Sequence, residues 1–219
     1  MTRKKVANYK ISKAVIKRLP RYYRFLNMLY DSGVTRISSG ELSKRMGLTA
    51  SQIRQDLNCF GGFGQQGYGY NVLLLRDQIG DILGLNAHFS AIIIGAGNLG
   101  RAIAAHMDFE KRGFNLIGIF DQKESCVGQI VRGLPVRNSN GLDEFCREYH
   151  PDIAVLCIPD EHAQKLVEQL VRLGVKGFWN FSHYDIAMQF PEIPVENVHL
   201  GDSLMTFCYK VNEAKQNNE

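Results

Sequence analysis

Apolar positions recur at helical spacing over Ile16–Tyr30, where Leu19, Tyr22, Tyr23, Leu26, Leu29 and Tyr30 can share a side. The pattern predicts a helix with Pro20 in its first turn, where a missing N–H is tolerated, closed by Asp31-Ser32-Gly33. Ser38-x-x-Glu41 has the spacing of a capping box, so a short helix is expected from Ser38, with Leu42 and Met46 as its apolar face and Gly47 as its stop. Thr49-x-x-Gln52 repeats that spacing and opens a third helix. In it Ile53 and Leu57 lie one turn apart and are expected to pack on Leu42 and Met46. Ser51, Arg54, Gln55 and Asn58 then fall on the opposite face, which is polar and carries no acid. Two helices joined by a short glycine turn, the second with a polar outer face, form a helix-turn-helix pattern.

Aromatic residues and glycines alternate from Phe60 to Tyr70, which reads as a β-hairpin wing with its tip near Gln65-Gln66-Gly67. Candidate DNA contacts are Ser51, Gln52, Arg54, Gln55 and Asn58 on the third helix and Gln65, Gln66 and Tyr68 on the wing. The competing reading of this segment is a small helical domain that binds protein.

Residues 78–89 read as a short helix and linker. Behind them the periodicity changes. Ala91–Ile94 is a short buried strand, and Gly95-Ala96-Gly97-Asn98-Leu99-Gly100 follows it at once, opening a helix through Arg101–His106. A second strand, Leu116–Phe120, ends at Asp121, which stands 21 residues beyond Gly100. Strand, Gly-x-Gly-x-x-Gly, helix and distant acid are the parts of a dinucleotide fold. Gly95 would make the tight turn, Gly97 would let a pyrophosphate reach the backbone, and Gly100 would bring helix and strand together. The helix N-terminus offers N–H groups to phosphate. Asp121 would accept the ribose hydroxyls and repel a 2′-phosphate, favouring NAD(H) over NADP(H), although Lys123 nearby works the other way. A purely structural glycine turn is the alternative. Further strands are expected at Ile153–Ile158 and Gly177–Phe181, with a helix over about Glu161–Leu173 between them. Cys157, Ile158, Pro159, Asn180 and Phe181 are therefore candidates for the nicotinamide side, or else strand-end packing. Leu200–Val211 reads as an amphipathic helix that docks on a partner subunit or on its own core.

The expected fold class is α/β: a winged helix-turn-helix domain over residues 1–85, a Rossmann doubly wound parallel sheet over 86–198, and a C-terminal helix and tail over 199–219. Charge divides at the same place. Residues 1–85 hold 14 Lys and Arg against 5 Asp and Glu, a net of +9, while residues 86–219 hold 12 against 17, a net of −5. A basic module meeting a polyanion, joined to a module with another task, fits this split.

No apolar run approaches the ~18–20 residues of a membrane span, and no apolar signal segment follows the basic start Arg3-Lys4-Lys5, so a cytoplasmic location is expected. Cys59, Cys126, Cys146, Cys157 and Cys208 form no Cys-x-x-Cys pair, and no metal site is expected. A dehydrogenase would need a substrate domain and a positioned acid or base. The segment after residue 200 is too short for one, and His106, His162, His183 and His199 lie in no catalytic motif, so no enzymatic activity is expected. The alternative is a small NAD(P)-dependent oxidoreductase with a basic oligomerisation arm. A third reading is a DNA-binding protein whose Rossmann domain takes another nucleotide or coenzyme A.

From about Ser12 to Tyr209 the chain resembles the Rex family of redox-sensing repressors. The resemblance rests on Leu19-Pro20-Arg21-Tyr22-Tyr23-Arg24, Ile53-Arg54-Gln55-Asp56-Leu57, Phe60-Gly61-Gly62-Phe63-Gly64, Gly67-Tyr68-Gly69-Tyr70, Gly97-Asn98-Leu99-Gly100-Arg101-Ala102 and Gly174–Phe181. It implies a homodimer on a palindromic DNA operator of fermentation and respiration genes, with a C-terminal helix exchanged between subunits. NADH and NAD+ would be the regulatory ligands: NADH would close the Rossmann domains and release DNA, and NAD+ would favour the bound form. It also implies that Arg24 joins a redox-dependent network with residues at the positions of His106 and His199, and that Leu200 lies beside the cofactor. The family commonly has Tyr and Asp at those two positions; both are histidine here, with Asp202 one turn away. Basic residues usual at Gln55, Gln65 and Gln66 are also missing. Two histidines by the nicotinamide would make the response to NADH depend on pH near neutrality.

Overall fold

A computed structural model describes residues 11–60, 64–65 (backbone only) and 68–217. The chain divides into two compact units, Met1–Asn86 and Ala87–Glu219.

The first unit opens with α1 (Lys13–Asp31), whose first turn is capped by Ser12: its hydroxyl accepts from the Val15 N–H at 3.3 Å. This cap starts the helix earlier than the apolar period suggests, so Pro20 lies in the helix interior rather than in the first turn. Proline cannot donate to the Ile16 carbonyl, but both residues are exposed, so water can take the free acceptor. β1 (Arg36–Ile37) leads into α2 (Ser39–Met46), where both halves of the capping box form: the Ser38 hydroxyl accepts from the Glu41 N–H and Glu41 accepts from the Ser38 N–H. Gly47 ends α2 at φ +62°. In α3 (Ala50–Asn58) only half the expected box forms. The Thr49 hydroxyl accepts from the Gln52 N–H, but the Gln52 side chain turns away to Asp56.

β2 (Gly64–Gln65) and β3 (Gly69–Asn71) pair antiparallel, and β1 adds to β3, giving a sheet in the order β1-β3-β2. The tip at Gln66 and Gly67 lies outside the described residues, as does Arg3-Lys4-Lys5. α4 (Val72–Leu83) starts six residues before the helix expected at 78. Its core positions Val72, Leu75 and Ile79 are helical in spacing, but the exposed Leu73 and Leu74 between them hide the period. The core of the unit joins Leu19, Tyr22, Leu26 and Leu29 of α1 to Leu42, Met46, Ile53, Leu57 and Leu75.

The second unit is built on β4 (Phe89–Ile94), α5 (Asn98–His106), β5 (Phe114–Asp121), β6 (Ile130–Val131), β7 (Leu134–Asn138), α6 (Leu142–Tyr149), β8 (Ile153–Leu156), α7 (Asp160–Arg172), β9 (Gly177–Asn180), α8 (Ile186–Gln189), β10 (Val195–Asn197) and α9 (Leu200–Gln216). The strands form one sheet in the order β10-β9-β8-β4-β5-β7-β6, parallel except for the β6–β7 pair. Alternate residues of β4 serve opposite faces, as its pleat requires. Ile92 and Ile94 pack with Phe145, Val167 and Leu170 of α6 and α7, while Ala91 and Ile93 pack with Ile103 and Ala104 of α5. Chain order reverses at β4, between β5 and β8, which is the switch point where α/β sheets bind ligands. Ile94 pairs with Phe120 on one side and Leu156 on the other, so Gly95, Asp121 and Cys157 leave the three strands at one level. β8 and β9 stop short of expectation, which puts Cys157-Ile158-Pro159 and Phe181 just beyond the strands. α9 runs five residues past Val211, and every one of its residues is exposed, Leu204 and Phe207 included. Its apolar side is thus not part of this chain's core. Among the described residues no helix is long and apolar enough to cross a membrane.

Candidate functional site

The glycine loop is shaped by steric limits. Gly95 has φ +97°, and a Cβ there would stand 2.3 Å from the Cys157 carbonyl oxygen. A Cβ on Gly100 would stand 1.8 Å from the Gly95 carbonyl oxygen. At Gly97 nothing lies within 4 Å of a Cβ, so that position faces open space. Gly97 is also the N-cap of α5 and supplies no side-chain acceptor, which leaves first-turn N–H groups at Asn98 and Leu99 for an anion. The loop is therefore tight where the fold closes on itself and open where a phosphate would enter.

Asp121 is only 9% exposed. One carboxylate oxygen accepts from the Ala96 N–H at 2.6 Å and the other from the Lys123 N–H at 2.8 Å. The side chain thus ties the glycine loop to the end of β5 as well as facing the crevice. The crevice holds about 620 Å³ and is lined by Gly95, Gly97, Asp121, Cys157, Ile158 and Pro159, all expected from sequence. Ser139, His162, Lys165 and Gln169 line it too, and no sequence motif marks them. His162, Lys165 and Gln169 recur at helical spacing on α7, and the rule that ligands meet the loops after parallel strands could have found them. Burial pushes the Cys157 thiol up to about 12, so it is a neutral wall rather than a reactive group.

Other expected cofactor residues are occupied differently. Asn180 is buried, its amide donates to the Tyr184 carbonyl and to Asn197, and its oxygen accepts from Ser182. Phe181 packs edge-on against Trp179, centroids 4.9 Å apart. Both hold the β9 end together and neither lines the crevice. His106 is exposed at the last residue of α5, and Leu200 is exposed at the first of α9. His199 caps α9. Its Nδ1 lies 3.3 Å from Asp202, its ring is 4.9 Å from that of His183, and its buried Nε2 has no hydrogen-bond partner among the described residues. Arg24 lies exposed on α1 in the first unit. Among the described residues no group of three or more His, Cys, Asp or Glu is arranged to hold a metal ion.

On α3, Ser51, Arg54, Gln55 and Asn58 are all exposed, forming one polar face, while Ile53 and Leu57 are buried with Leu42 and Met46. Arg54 donates to the Ser39 hydroxyl at 3.0 Å. Gln52 is half-buried and donates to Asp56 at 2.8 Å, which turns it from the outer face. Tyr68 is 70% exposed, and its carbonyl accepts from Arg36. The side chains of Gln65 and Gln66 lie outside the described residues.

Helical periodicity does not single out Asp56. It is fully buried and accepts from Arg18, Tyr22 and Gln52. Burial works to raise its carboxyl, but these hydrogen bonds outweigh it and hold the group below the ordinary carboxylate range.

Two sequence profiles match: one described as "Putative DNA-binding protein N-terminus" over residues 10–58, and one described as "CoA binding domain" over residues 86–184. The redox-sensing transcriptional repressor Rex of Caldanaerobacter subterraneus is 54% identical over 203 residues, 93% of this chain and 90% of that protein. The crystal structure of RSP in complex with β-NAD+ and operator DNA superposes with a TM-score of 0.88 at 50% identity, covering 96% of this chain and 97% of the other. That of RSP in complex with β-NADH gives 0.86 at 47% identity, covering 96% and 99%. On this likeness over nearly its whole length, the chain belongs to the Rex family of redox-sensing transcriptional repressors.

Proposed function

We propose that this chain represses transcription as a cytoplasmic homodimer on a palindromic DNA operator, and that DNA is released when its glycine-loop crevice holds NADH. The observation that carries the reading is the superposition of the chain on a relative solved with both β-NAD+ and operator DNA. α3 would read base edges with Ser51, Arg54, Gln55 and Asn58, and the wing would follow the neighbouring backbone. Gln52 would act through Asp56 rather than on DNA. In the crevice, α5 would receive the pyrophosphate on its first-turn N–H groups, and Asp121 would take the ribose hydroxyls. Ile158 and Pro159 would bound the same space. The family resemblance would set Arg24, His106 and His199 around the nicotinamide once two subunits assemble, with α9 crossing between them; its exposed apolar side supports an intersubunit place. NADH can shift this equilibrium only by the difference in its affinity for the DNA-bound and free forms.

Fluorescence anisotropy of a labelled palindromic operator tests the proposal. Tight binding that is lost with NADH and kept with NAD+ is expected. Binding indifferent to NADH would remove the sensor, and no binding would remove the repressor. The match to a CoA-binding profile favours a second ligand class for the crevice. Competition of coenzyme A against NADH separates the two.

A further inference from the structure

The exposed side of α1 carries a row of cations at Lys13, Lys17, Arg21 and Arg24. They are spaced four, four and three residues apart, which places them on one helical stripe. No acid occurs in α1 until Asp31, its last residue. The opposite side is the buried one, with Val15, Leu19, Tyr22 and Leu26. Helix stability does not account for the row: the cation at Lys13 sits in the first turn, at the positive end of the helix dipole, where acids are the favourable choice.

The row also has a fixed relation to the helix-turn-helix. Arg21 donates to the carbonyl of Met46, the last residue of α2, beside the turn at Gly47. Arg18, one step off the row, is bound to Asp56 of α3 and so is committed to the fold. The outer face of α3 itself carries a single cation, Arg54, and that one also donates to Ser39. A face so poor in charge can read bases but releases few counterions, and counterion release is the main source of affinity for DNA.

We infer that Lys13 and Lys17, on a helix that Arg21 ties to the end of α2, form a second DNA surface, separate from α3 and the wing, that grips the phosphate backbone flanking the half-site. The inference rests on the DNA reading above and adds where the affinity comes from. It assigns positioning and strength to α1 and sequence discrimination to α3.

The test uses the full-length protein and two DNA probes, the operator and an unrelated duplex, across about 50–200 mM salt. Removing one phosphate-neutralising cation lowers the slope of log K against log salt by about 0.9. Lys13→Gln with Lys17→Gln should therefore lower the slope by about 2 per bound subunit and weaken both probes by the same factor. The thermal midpoint should stay level or rise slightly, because the dipole penalty is relieved. Lys111→Gln with Arg112→Gln, both exposed in the second unit, removes equal charge and should leave the slope unchanged. An unchanged slope in the α1 variant, an equal drop in the control, or a weakening confined to the operator would each overturn the inference. If the unsubstituted protein binds neither probe, the DNA reading fails and the inference with it. If it binds and only the slope prediction fails, the DNA reading stands.

Discussion

The guanidinium of Arg18 on α1 donates twice to the carboxylate of Asp56 on α3, from Nε and Nη2, each at 2.7 Å. Tyr22 donates to the same carboxylate at 2.9 Å and Gln52 at 2.8 Å, so each oxygen of a fully buried acid receives two hydrogen bonds. The two helices are pinned together at one point, and that point sets the rotation of the proposed reading face.

Removing one partner of a buried ion pair leaves the other unpaired, at a cost of about 3–5 kcal/mol. Arg18→Met strands the fully buried Asp56 carboxylate and should fall within that range, whereas Asp56→Ala leaves an Arg18 that keeps some solvent contact and should fall at or below its low end. Dependence on pH should be two-sided. The Asp56 carboxyl is held below its ordinary range, so its contribution is complete above about pH 4 and is lost as pH falls through the lower folded value. Burial first, and then the hydrogen bond to Asp56, push the Tyr22 phenol well above its ordinary range. Its contribution is complete below about pH 10 and lost above that. Urea denaturation from pH 3 to 11 should give a plateau with both limbs, and Asp56→Asn should flatten the acid limb. An acid limb of unchanged depth in that variant would show that the network does not carry it.

The three glycines of the loop should separate fold from ligand. Gly100→Ala would force a methyl to 1.8 Å from the Gly95 carbonyl, so the helix must shift and the thermal midpoint should drop by several degrees. Gly97→Ala meets nothing within 4 Å, so the midpoint should hold. NADH affinity, read by fluorescence titration, should nevertheless fall at least tenfold in Gly97→Ala. Unimpaired NADH binding there would mean the pyrophosphate does not cross that position.

Much of this was legible in the chain. Short-range rules sufficed where caps and period agree, as at Ser38–Glu41, or where one motif dictates backbone shape, as at Gly95–Gly100. They fell short where a side-chain partner outside the motif decides. Asp56 reads as one more polar residue of α3 until Arg18, 38 positions away, is seen to reach it. Thr49-x-x-Gln52 is a capping box by spacing, yet the pull of Asp56 on Gln52 opens it. Asn180 stands at a strand end as ligand residues do, and only the fold shows that its amide also binds Tyr184, Asn197 and Ser182. The α7 side of the crevice stayed hidden because His162, Lys165 and Gln169 belong to no motif; only the topology of the sheet brings them there.

Asp121 has two tasks, and one substitution should expose both. Asp121→Ala removes the acceptor for the Ala96 N–H and the proposed partner of the ribose hydroxyls. Hydrogen bonds to a charged group contribute about 1.5–3 kcal/mol, or roughly 10–100-fold in affinity. NADH binding should weaken within that range and the preference over NADPH should shrink, since a carboxylate no longer repels the 2′-phosphate. Retained discrimination against NADPH would place the selection elsewhere in the crevice.

His199 stands beside Asp202 on its own helix and His183 from the loop after β9, with Nε2 left unpartnered among the described residues. His199→Asn should raise the NADH concentration that half-releases operator severalfold, because it removes this ring from the proposed nicotinamide network. An unchanged half-release concentration in that variant would exclude this histidine from the response.

A redox sensor can work through a thiol or through a nucleotide, and Cys157 decides between them here because it lines the crevice. Reactive cysteines are thiolates in electropositive, accessible surroundings. Burial pushes the Cys157 thiol up to about 12, so at pH 7.5 it is almost wholly the neutral thiol. Cys146 is fully buried where Cys157 is half-buried, and its thiol is pushed up to about 11. Cys59 is exposed at the end of α3. Brief treatment with iodoacetamide at pH 7.5, followed by peptide mapping, should label Cys59 and spare Cys157 and Cys146. Cys157→Ser should keep NADH-driven release of operator within a few-fold of the unsubstituted protein, because it removes no charge and little volume. Fast labelling of Cys157, together with loss of the NADH response in the serine variant, would instead make the thiol the sensing group and the nucleotide crevice its accessory.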